Sequence, residues 1–245
     1  MKVAFSKYHG LGNDFVIIKD FQSALRLSGQ AVGQLCDRHF GIGADGLIIV
    51  CKEDEPASGT AAPSFSMIFH NSDGSTAEVC GNGLRCVAKF LRDEGEWSGE
   101  NMSIGTAAGT RLISLIDAEG AVERVTVDMG RPRLKPEEIP VSLPGEDVVG
   151  QVLRVDDEDA VITCVSMGNP HCVLFVGEDA DRALFRTLGP RLETNAVFPE
   201  RTNVDFVRVL GEDLLDVNVW ERGAGLTLAC GSGACAAVVA AKLNG

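Results

Sequence analysis

The chain has 245 residues, and its 22 lysines and arginines against 35 aspartates and glutamates give a formal net charge of −13. Hydrophobic residues at 45% and charged residues at 23% are ordinary globular values, which exclude a disordered or collagen-like chain. The acidic balance argues against nucleic acid and anionic membranes as partners, and no membrane-spanning stretch or signal peptide is visible, so we expect a soluble, cytoplasmic protein.

The first half is predicted to consist of short strands separated by glycine-rich turns, with two helices. Alternation and β-branched content predict strands at Val3–Ser6, Phe15–Asp20, Gly46–Cys51, Ser66–His70, Gly109–Ile116 and Arg124–Asp128. Helices are predicted at Gly29–Phe40 and Gly81–Asp93. Residues 53–63 carry proline, glycine, serine and acids without a period, which predicts a surface loop.

The second half has the same character. Early in this half lies the segment Pro132–Pro144, whose four prolines predict an extended connection. Strands are then predicted at Val161–Val165, Cys172–Val176, Asn203–Val209 and Asp213–Trp220, and a helix at Gly231–Lys242.

Two short motifs of the first half recur in the second half in the same order. Gly12-Asn13 precedes a strand, as does Gly168-Asn169, and a Cys-Gly-x-Gly turn opens a helix at Cys80 and again at Cys230. The spacing between the two motifs is approximately kept, so the pattern indicates an internal duplication. We therefore expect two β-rich lobes, residues 1–120 and 121–245, that face each other across one cleft.

The chain has eight cysteines. Its length and the lack of a secretion signal argue against a disulfide framework, and the spacing of Cys80 to Cys86 and of Cys230 to Cys235 is not that of a zinc knuckle. We predict no metal site. Six cysteines are interpreted as packing residues: Cys36, Cys51, Cys86, Cys164, Cys172 and Cys235.

The other two, Cys80 and Cys230, each stand at a predicted helix start. Unpaired backbone N–H groups and the helix dipole favour a thiolate there and can lower the thiol pKa. The glycines that follow let backbone N–H groups approach a carboxylate closely. Two such thiols at one cleft suit removal of a proton beside a carboxylate and its return on the opposite face, which is stereoinversion without a cofactor.

Several longer motifs resemble the diaminopimelate epimerase family, from residue 7 to the end of the chain. They are Lys7-Tyr8-His9-Gly10-Leu11-Gly12-Asn13-Asp14-Phe15, Asn71-Ser72-Asp73-Gly74-Ser75, Gly168-Asn169-Pro170-His171, Asn203, Glu221-Arg222-Gly223-Ala224-Gly225 and the two Cys-Gly-x-Gly turns. The resemblance implies an α/β (α+β) fold of two pseudo-symmetric lobes, each a mostly antiparallel sheet around a helix, with the active site in the cleft between them. It also implies interconversion of LL- and meso-diaminopimelate, a precursor of lysine and peptidoglycan.

The resemblance further assigns roles to individual residues. Cys80 and Cys230 become the acid/base pair, and Gly81, Asn82, Gly231 and Ser232 hold the carboxylate at the reacting carbon. The far ammonium and carboxylate of the substrate are assigned to Asn13, Asn71, Asn169, Asn203, Glu221 and Arg222, which offer amide, carboxylate and guanidinium groups of matching chemistry. His171 and Glu221 are implied as groups that take a proton from a cysteine. The predicted partner is a small-molecule substrate, and the resemblance implies no cofactor. A homodimer is compatible with the resemblance.

Other interpretations remain open. Without the resemblance, Asn71 in its glycine-containing turn is equally well explained as structural, and a histidine such as His171 is more often a satisfied half-buried histidine than a base. A proline or hydroxyproline racemase-like enzyme and a catalytically silent amino-acid-binding module are the alternative functions. Gly46, Thr76 and Leu226 depart from the family pattern, and Gly46 receives no role. The family continues through further strands beyond Gly245, so we expect a sheet edge to be uncovered in this chain.

Overall fold

A computed structural model of the chain describes residues 2–53, 64–118 and 120–245. The loop predicted at residues 53–63 therefore lies outside the described residues, except for Glu53. The chain forms two compact units, Met1–Asp128 and Met129–Gly245. No helix in the described ranges is both long and apolar enough to cross a membrane.

The first unit is built on one sheet with two helices. Its strands are β1 Ser6–Gly10, β2 Asn13–Lys19, β3 Gly46–Lys52, β4 Phe65–Asn71, β5 Thr76–Ala77, β6 Asn101–Thr106, β7 Gly109–Ala118 and β8 Ala121–Val127, and its helices are α1 Gly29–Cys36 and α2 Gly81–Asp93. The sheet order is β1-β2-β3-β4-β6-β7-β8, with β5 paired to β4. The β2–β3 and β4–β6 pairs are parallel and the others antiparallel. Helix α2 packs against β1, β2, β7 and β8, so the sheet curls around it.

The second unit repeats this plan. Its strands are β9 Gln151–Val155, β10 Glu158–Ser166, β11 Pro170–Phe175, β12 Asn203–Gly211, β13 Leu214–Glu221 and β14 Gly225–Leu226, and its helices are α3 Arg182–Glu193 and α4 Gly231–Leu243. The sheet order is β14-β13-β12-β11-β10-β9, in which only the β11–β12 pair is parallel among the described residues. Helix α4 packs against the four strands β10 to β13.

The two units share one sequence of elements, which confirms the predicted fold class. In each, an antiparallel pair (β1–β2, β10–β11) leads through a helix (α1, α3) to a parallel strand (β3, β12). An antiparallel strand (β4, β13), a two-residue strand (β5, β14) and a helix that begins after a cysteine (α2, α4) follow. The strand registers make Phe15 correspond to His171 and Gly46 correspond to Asn203.

Several predicted elements were missed or misplaced. The first strand is Ser6–Gly10 rather than Val3–Ser6, because its pairing with β2 begins at Ser6. Helix α1 ends at Cys36 rather than Phe40, because the Asp37 carboxylate accepts the N–H groups of His39 and Phe40 and turns the chain. Strands β5, β6, β9 and β14 and helix α3 were not predicted. The segment Pro132–Pro144 contains a short 3₁₀ turn at Pro136–Glu138.

The units divide after Asp128 rather than after residue 120. Strand β8 forms an antiparallel pair with β7 and therefore belongs to the first unit. A boundary at residue 120 would cut the turn of this hairpin.

The six cysteines interpreted as packing residues lie mostly in the apolar cores of the two units. Cys36 and Cys51 belong to one apolar cluster of the first unit, and Cys164 and Cys172 stand opposite each other in the core of the second. Cys86 is buried as well, whereas Cys235 is half-buried. These six thiols therefore lie among packing side chains, and the interpretation as small buried hydrophobes holds for all but Cys235.

Candidate active site

Cys80 is the N-cap of α2. Its backbone is extended, with φ −134° and ψ 107°, and its Sγ accepts the N–H of Gly83 at 3.3 Å. A sulfur at this position satisfies one of the otherwise unpaired N–H groups of the first helical turn. The fit is close, because a Cβ on Gly83 would lie 3.0 Å from the Ile48 side chain.

Two of the predicted binding residues lie together beside this helix start. The Asn82 side chain is 4% exposed, and its Nδ2 donates to Asn13 Oδ1 at 3.3 Å. Arg85 donates to Asn82 Oδ1 at 2.6 Å, and Asn13 donates to Asp45 Oδ2 at 3.1 Å. Both amides are thus oriented by a charged neighbour. Arg85 and Asp45 were not recognised from the sequence, since an arginine on a helix and an acid in a glycine-rich turn carry no distinctive pattern.

Asn71 ends β4 and is tied into its own turn. Its Nδ2 donates to Ser75 Oγ at 2.9 Å, and its carbonyl accepts the N–H of Gly74 at 2.9 Å. Gly46 pairs with Asn71 across the sheet, and a Cβ there would lie 2.6 Å from the Phe69 ring. Packing therefore accounts for the glycine at position 46. The substrate-binding role of Asn71 stays a prediction.

Cys230 repeats the geometry of Cys80 at the start of α4. Its φ is −125° and ψ 118°, and its Sγ accepts the N–H of Gly233 at 3.4 Å. Ser232 Oγ lies 3.4 Å from the same sulfur. The two candidate acid/base residues are thus N-caps of corresponding helices, each held by the third residue after it.

A buried polar network surrounds Cys230. His171 and Asp205 are both 0% exposed, and His171 Nδ1 lies 2.7 Å from Asp205 Oδ2. His171 Nε2 lies 3.0 Å from Ser232 Oγ and 3.2 Å from Asn169 Oδ1. Asn169 Nδ2 donates to Ser232 Oγ at 3.3 Å, as Asn82 donates to Asn13 in the first unit. The alternative for His171, a satisfied half-buried histidine, is right in that both ring nitrogens have hydrogen-bond partners, but the ring is fully buried rather than half-buried.

Asp205 was not recognised from the sequence. It stands in β12 between two fully buried apolar residues, Val204 and Phe206. An acid at an inward-facing position of a buried strand is the signal that could have found it, since buried carboxylates occur with partners.

Three further predicted residues, Asn203, Glu221 and Arg222, lie at the end of β13 and at the start of the neighbouring strand β12. Asn203 Nδ2 donates to the Pro170 carbonyl at 2.8 Å, and its Oδ1 accepts the Arg222 N–H at 2.9 Å. Glu221 accepts from Thr227 Oγ1 at 2.6 Å, and Arg222 Nη1 donates to the Glu200 carbonyl at 3.1 Å. Asn203 therefore fixes the position of the Glu221-Arg222 turn relative to β11.

The electrostatics of Cys230 differ from the sequence expectation. Burial raises the pKa of its thiol well above the ordinary value, and the carboxylates of Glu221 and Asp205 raise it further. The hydrogen bonds from Ser232 and the Gly233 N–H lower it, as a helix start should, but they are outweighed. Burial also raises the pKa of Glu221. No cluster of His, Cys, Asp or Glu in the described ranges is placed to hold a metal ion.

Comparison with known proteins identifies the family. The sequence profile of the diaminopimelate epimerase family matches residues 5–135 and 163–245. The chain is 48% identical over 244 residues to diaminopimelate epimerase of Pelotomaculum thermopropionicum, covering 98% of this chain and 84% of the relative. It is 49% identical over 251 residues to the Thermosynechococcus vestitus enzyme, covering 100% and 84%. The chain belongs to the diaminopimelate epimerase family.

Solved structures with the same fold include more distant enzymes. A probable proline racemase from Agrobacterium radiobacter K84 has a TM-score of 0.71 at 11% identity, covering 100% of this chain and 78% of that chain. A hydroxyproline epimerase from Agrobacterium vitis has a TM-score of 0.69 at 11% identity, covering 97% and 75%. At this identity the likeness shows the shared fold alone, whereas membership of the diaminopimelate epimerase family rests on the sequence.

Proposed function

We propose that the chain is a cofactor-independent epimerase that interconverts LL- and meso-diaminopimelate. The observation that carries this proposal is the pair of thiols, Cys80 and Cys230, which cap corresponding helices with the same geometry. Relatives named diaminopimelate epimerase, 48% and 49% identical over nearly the whole chain, support the substrate. Each thiol lies beside glycine-rich backbone that suits a carboxylate.

The reaction requires one thiolate and one thiol on opposite faces of the α-carbon. The thiolate takes the α-proton, and the electron pair of the broken C–H bond is delocalised into the carboxylate. The N–H groups of Gly81, Asn82, Gly231 and Ser232 stabilise the negative charge that develops there. The second thiol then gives its proton to the carbon from the other face, so the configuration inverts and the roles of the two sulfurs exchange.

The raised pKa of the Cys230 thiol indicates which thiol is the acid and which is the base at the start of the reaction. Because its pKa is raised, Cys230 is the protonated acid in the substrate-free chain, and Cys80 is the base in the first half of the reaction. The reverse direction needs Cys230 as thiolate. Glu221 faces the Cys230 thiol and is placed to share its proton.

The far end of the substrate is assigned to Asn13, Asn71, Asn169, Asn203, Glu221 and Arg222. Each amide nitrogen carries two hydrogens and each amide oxygen two lone pairs, so an asparagine held by one neighbour can still bind a ligand. Arg222 suits a carboxylate and Glu221 an ammonium group. A proline racemase-like activity gains no support from the shared fold, because an imino acid has no far ammonium and carboxylate for these groups to bind.

The test is incubation of the purified chain with LL-diaminopimelate, followed by chromatographic separation of the stereoisomers. We expect approach to one equilibrium mixture from either LL or meso starting material, with L-proline and trans-4-hydroxy-L-proline left unchanged. Conversion of the imino acids without conversion of diaminopimelate would contradict the proposal. A homodimer and a cytoplasmic location stay predictions.

A further inference from the structure

Glu193 is a buried acid for which the proposed reaction has no use. It is the last residue of α3 and only 7% exposed. A carboxylate is costly to bury unless its oxygens accept hydrogen bonds, and a negative charge at the C-terminal end of a helix is opposed by the helix dipole. The acid therefore does not serve α3 itself, and its role lies in what the carboxylate contacts.

The Glu193 carboxylate joins a strand to the turn that follows it. Its Oε2 accepts the indole N–H of Trp220 in β13 at 2.7 Å, and its Oε1 accepts the backbone N–H of Gly223 at 3.0 Å. The Arg201 guanidinium is mostly exposed and lies beyond hydrogen-bond distance, at 3.7 Å from Oε1. A carboxylate accepts on both terminal atoms, whereas the amide of a glutamine has a single oxygen. The two donors therefore specify an acid at this position.

Gly223 lies in the same turn as Arg222, one of the proposed substrate-binding residues. Two successive backbone N–H groups of this turn are held by side chains of other elements. The Arg222 N–H donates to Asn203 Oδ1 at 2.9 Å, and the Gly223 N–H donates to Glu193. The turn is thus fixed from β12 on one side and from α3 on the other.

The end of α3 is itself held in place, so the carboxylate has a fixed position. A Cβ on Gly189 would lie 2.7 Å from the Trp220 ring, which shows how closely the helix packs on β13. The backbone carbonyl of Glu193 accepts the Thr202 N–H at 3.3 Å, which ties the helix end to the residue before β12. A rigid acceptor of this kind can determine where the turn lies.

No counterpart of this bridge is found in the described part of the first unit. The strand registers make His70 correspond to Trp220, and the buried His70 Nδ1 has no hydrogen-bond partner in the described ranges. The turn after β4 is held by backbone instead, since the Ser72 N–H donates to the Asp45 carbonyl at 3.1 Å. The carboxylate bridge therefore belongs to the unit that carries Arg222.

We propose that Glu193 is a positioning residue that fixes the turn of Arg222 for binding of the far carboxylate of the substrate. The inference rests on the proposed function, which assigns that group to Arg222. Glu221 stays in β13 and keeps its bond to Thr227, so loss of the bridge displaces Arg222 alone. A contact that is equal in the ground state and the transition state contributes to KM and not to kcat. A purely structural role would instead lower the folded fraction, and with it the apparent kcat, without changing KM.

The experiment first removes the indole donor, so that the acceptor for the Gly223 N–H is tested alone. In Trp220→Phe a phenyl ring can occupy the same site against Gly189, and we expect KM near the wild-type value. In this background Glu193→Gln retains one oxygen for Gly223, whereas Glu193→Met, equally uncharged and similar in size, retains none. We expect the Gln variant to keep the KM of Trp220→Phe and the Met variant to raise it on the order of tenfold, as suits one lost hydrogen bond, with kcat nearly unchanged in both.

Asp181→Ala is the control for stability. It removes the N-cap at the other end of α3, where the carboxylate accepts the N–H groups of Ala183 and Leu184. It should lower the urea midpoint and leave KM unchanged. Equal KM values in the Gln and Met variants, or an equal rise of KM in Asp181→Ala, would overturn the proposal.

Backbone amide exchange of Gly223, followed by NMR, is a second readout that needs neither epimerase activity nor, in its first step, a variant. Gly223 is exposed, so its amide in the wild-type chain is protected only through Glu193, and exchange at the unprotected rate would overturn the proposal. We expect exchange on the order of tenfold faster in the Met variant than in the Gln variant. A wild-type chain that does not convert diaminopimelate would sink the proposed function alone, and the exchange rates would still decide whether Glu193 holds the turn.

Discussion

At the scale of single residues, the two cysteines share a cap geometry but not an environment. Each sulfur accepts a hydrogen bond from the N–H of the residue three positions after it, at 3.3 Å for Cys80 and 3.4 Å for Cys230. Cys230 is set among a serine, a histidine and two carboxylates, and its burial and the two carboxylates raise the pKa of its thiol. A symmetric reaction is thus proposed for two thiols, of which Cys230 lies in a buried polar network.

Serine variants test the acid/base pair without removing the helix caps. In Cys80→Ser and Cys230→Ser the hydroxyl can still accept the first-turn N–H, so the fold is retained, but a hydroxyl is far too weak an acid to supply the base. We expect epimerisation to fall by about 10²–10⁴-fold in each variant, the usual range for loss of a general acid or base. Cys235→Ser, five positions further along α4, is the control and should keep its activity. Turnover near that of the wild type in either cap variant would rule out the two-base assignment.

At the scale of elements, the first turns of α2 and α4 correspond to each other but pack against different side chains. The third helical residue is glycine in both, but it packs against an aliphatic side chain, Ile48, in α2 and against the buried carboxylate of Asp205 in α4. A flexible methyl group can move by a few tenths of an ångström. A carboxylate that also holds a histidine cannot.

Alanine at these two glycines should therefore have unequal effects. In a helix interior, alanine is more favourable than glycine by about 1 kcal/mol. Gly83→Ala needs only a small shift of Ile48, so we expect a change in unfolding free energy close to zero. Gly233→Ala drives a Cβ into Asp205 Oδ1, and we expect a net loss of about 1–3 kcal/mol, typical of overpacking. Urea denaturation of the two variants measures the difference, and equal losses would show that the α4 start is not tightly packed.

At the scale of the whole molecule, the buried thiols make stability sensitive to alkaline pH. Burial raises the pKa of six thiols, those of Cys36, Cys51, Cys86, Cys172, Cys230 and Cys235, and that of Cys86 rises to about 11. The unfolded chain ionises at the ordinary thiol pKa, about 8.5, whereas the folded chain keeps its protons to higher pH. The stabilisation is therefore complete below that value and is lost as the pH rises through the folded pKa values.

Urea denaturation under reducing conditions, from neutral pH to above pH 11, measures this loss. We expect the unfolding free energy to fall steadily over that range. The Cys86→Val/Cys172→Val variant removes two buried titrating groups at similar volume, so its decline should be shallower. An identical slope in the wild type and the variant would mean that thiol ionisation does not drive the alkaline loss.

The features that were predictable from sequence are those whose cause is local. A cysteine followed by Gly-x-Gly and an amphipathic run fixes a capped helix start, and β-branched runs fix the inner strands. Helix α3 was hidden by Gly189 and Pro190, which disfavour a helix. The duplication could have revealed it, because α1 already links the corresponding strands of the first unit. Asp45 depends on contacts between distant segments, which no local pattern specifies. Arg85 contacts Asn82 within its own helix without a distinctive pattern, and Asp205 left only one signal, an acid between two buried apolar residues.

The central claim, that the chain inverts the α-carbon of diaminopimelate through two thiols, is tested most directly by proton exchange. The chain is incubated in deuterium oxide with LL-diaminopimelate, and the α-position of substrate and product is followed by mass spectrometry and proton NMR. We expect the meso product to carry deuterium at the inverted carbon from the first turnovers, because the returning proton comes from a thiol equilibrated with solvent. Binding of diaminopimelate, detected by calorimetry, without any deuterium at the α-carbon would identify a silent binding module and contradict the account.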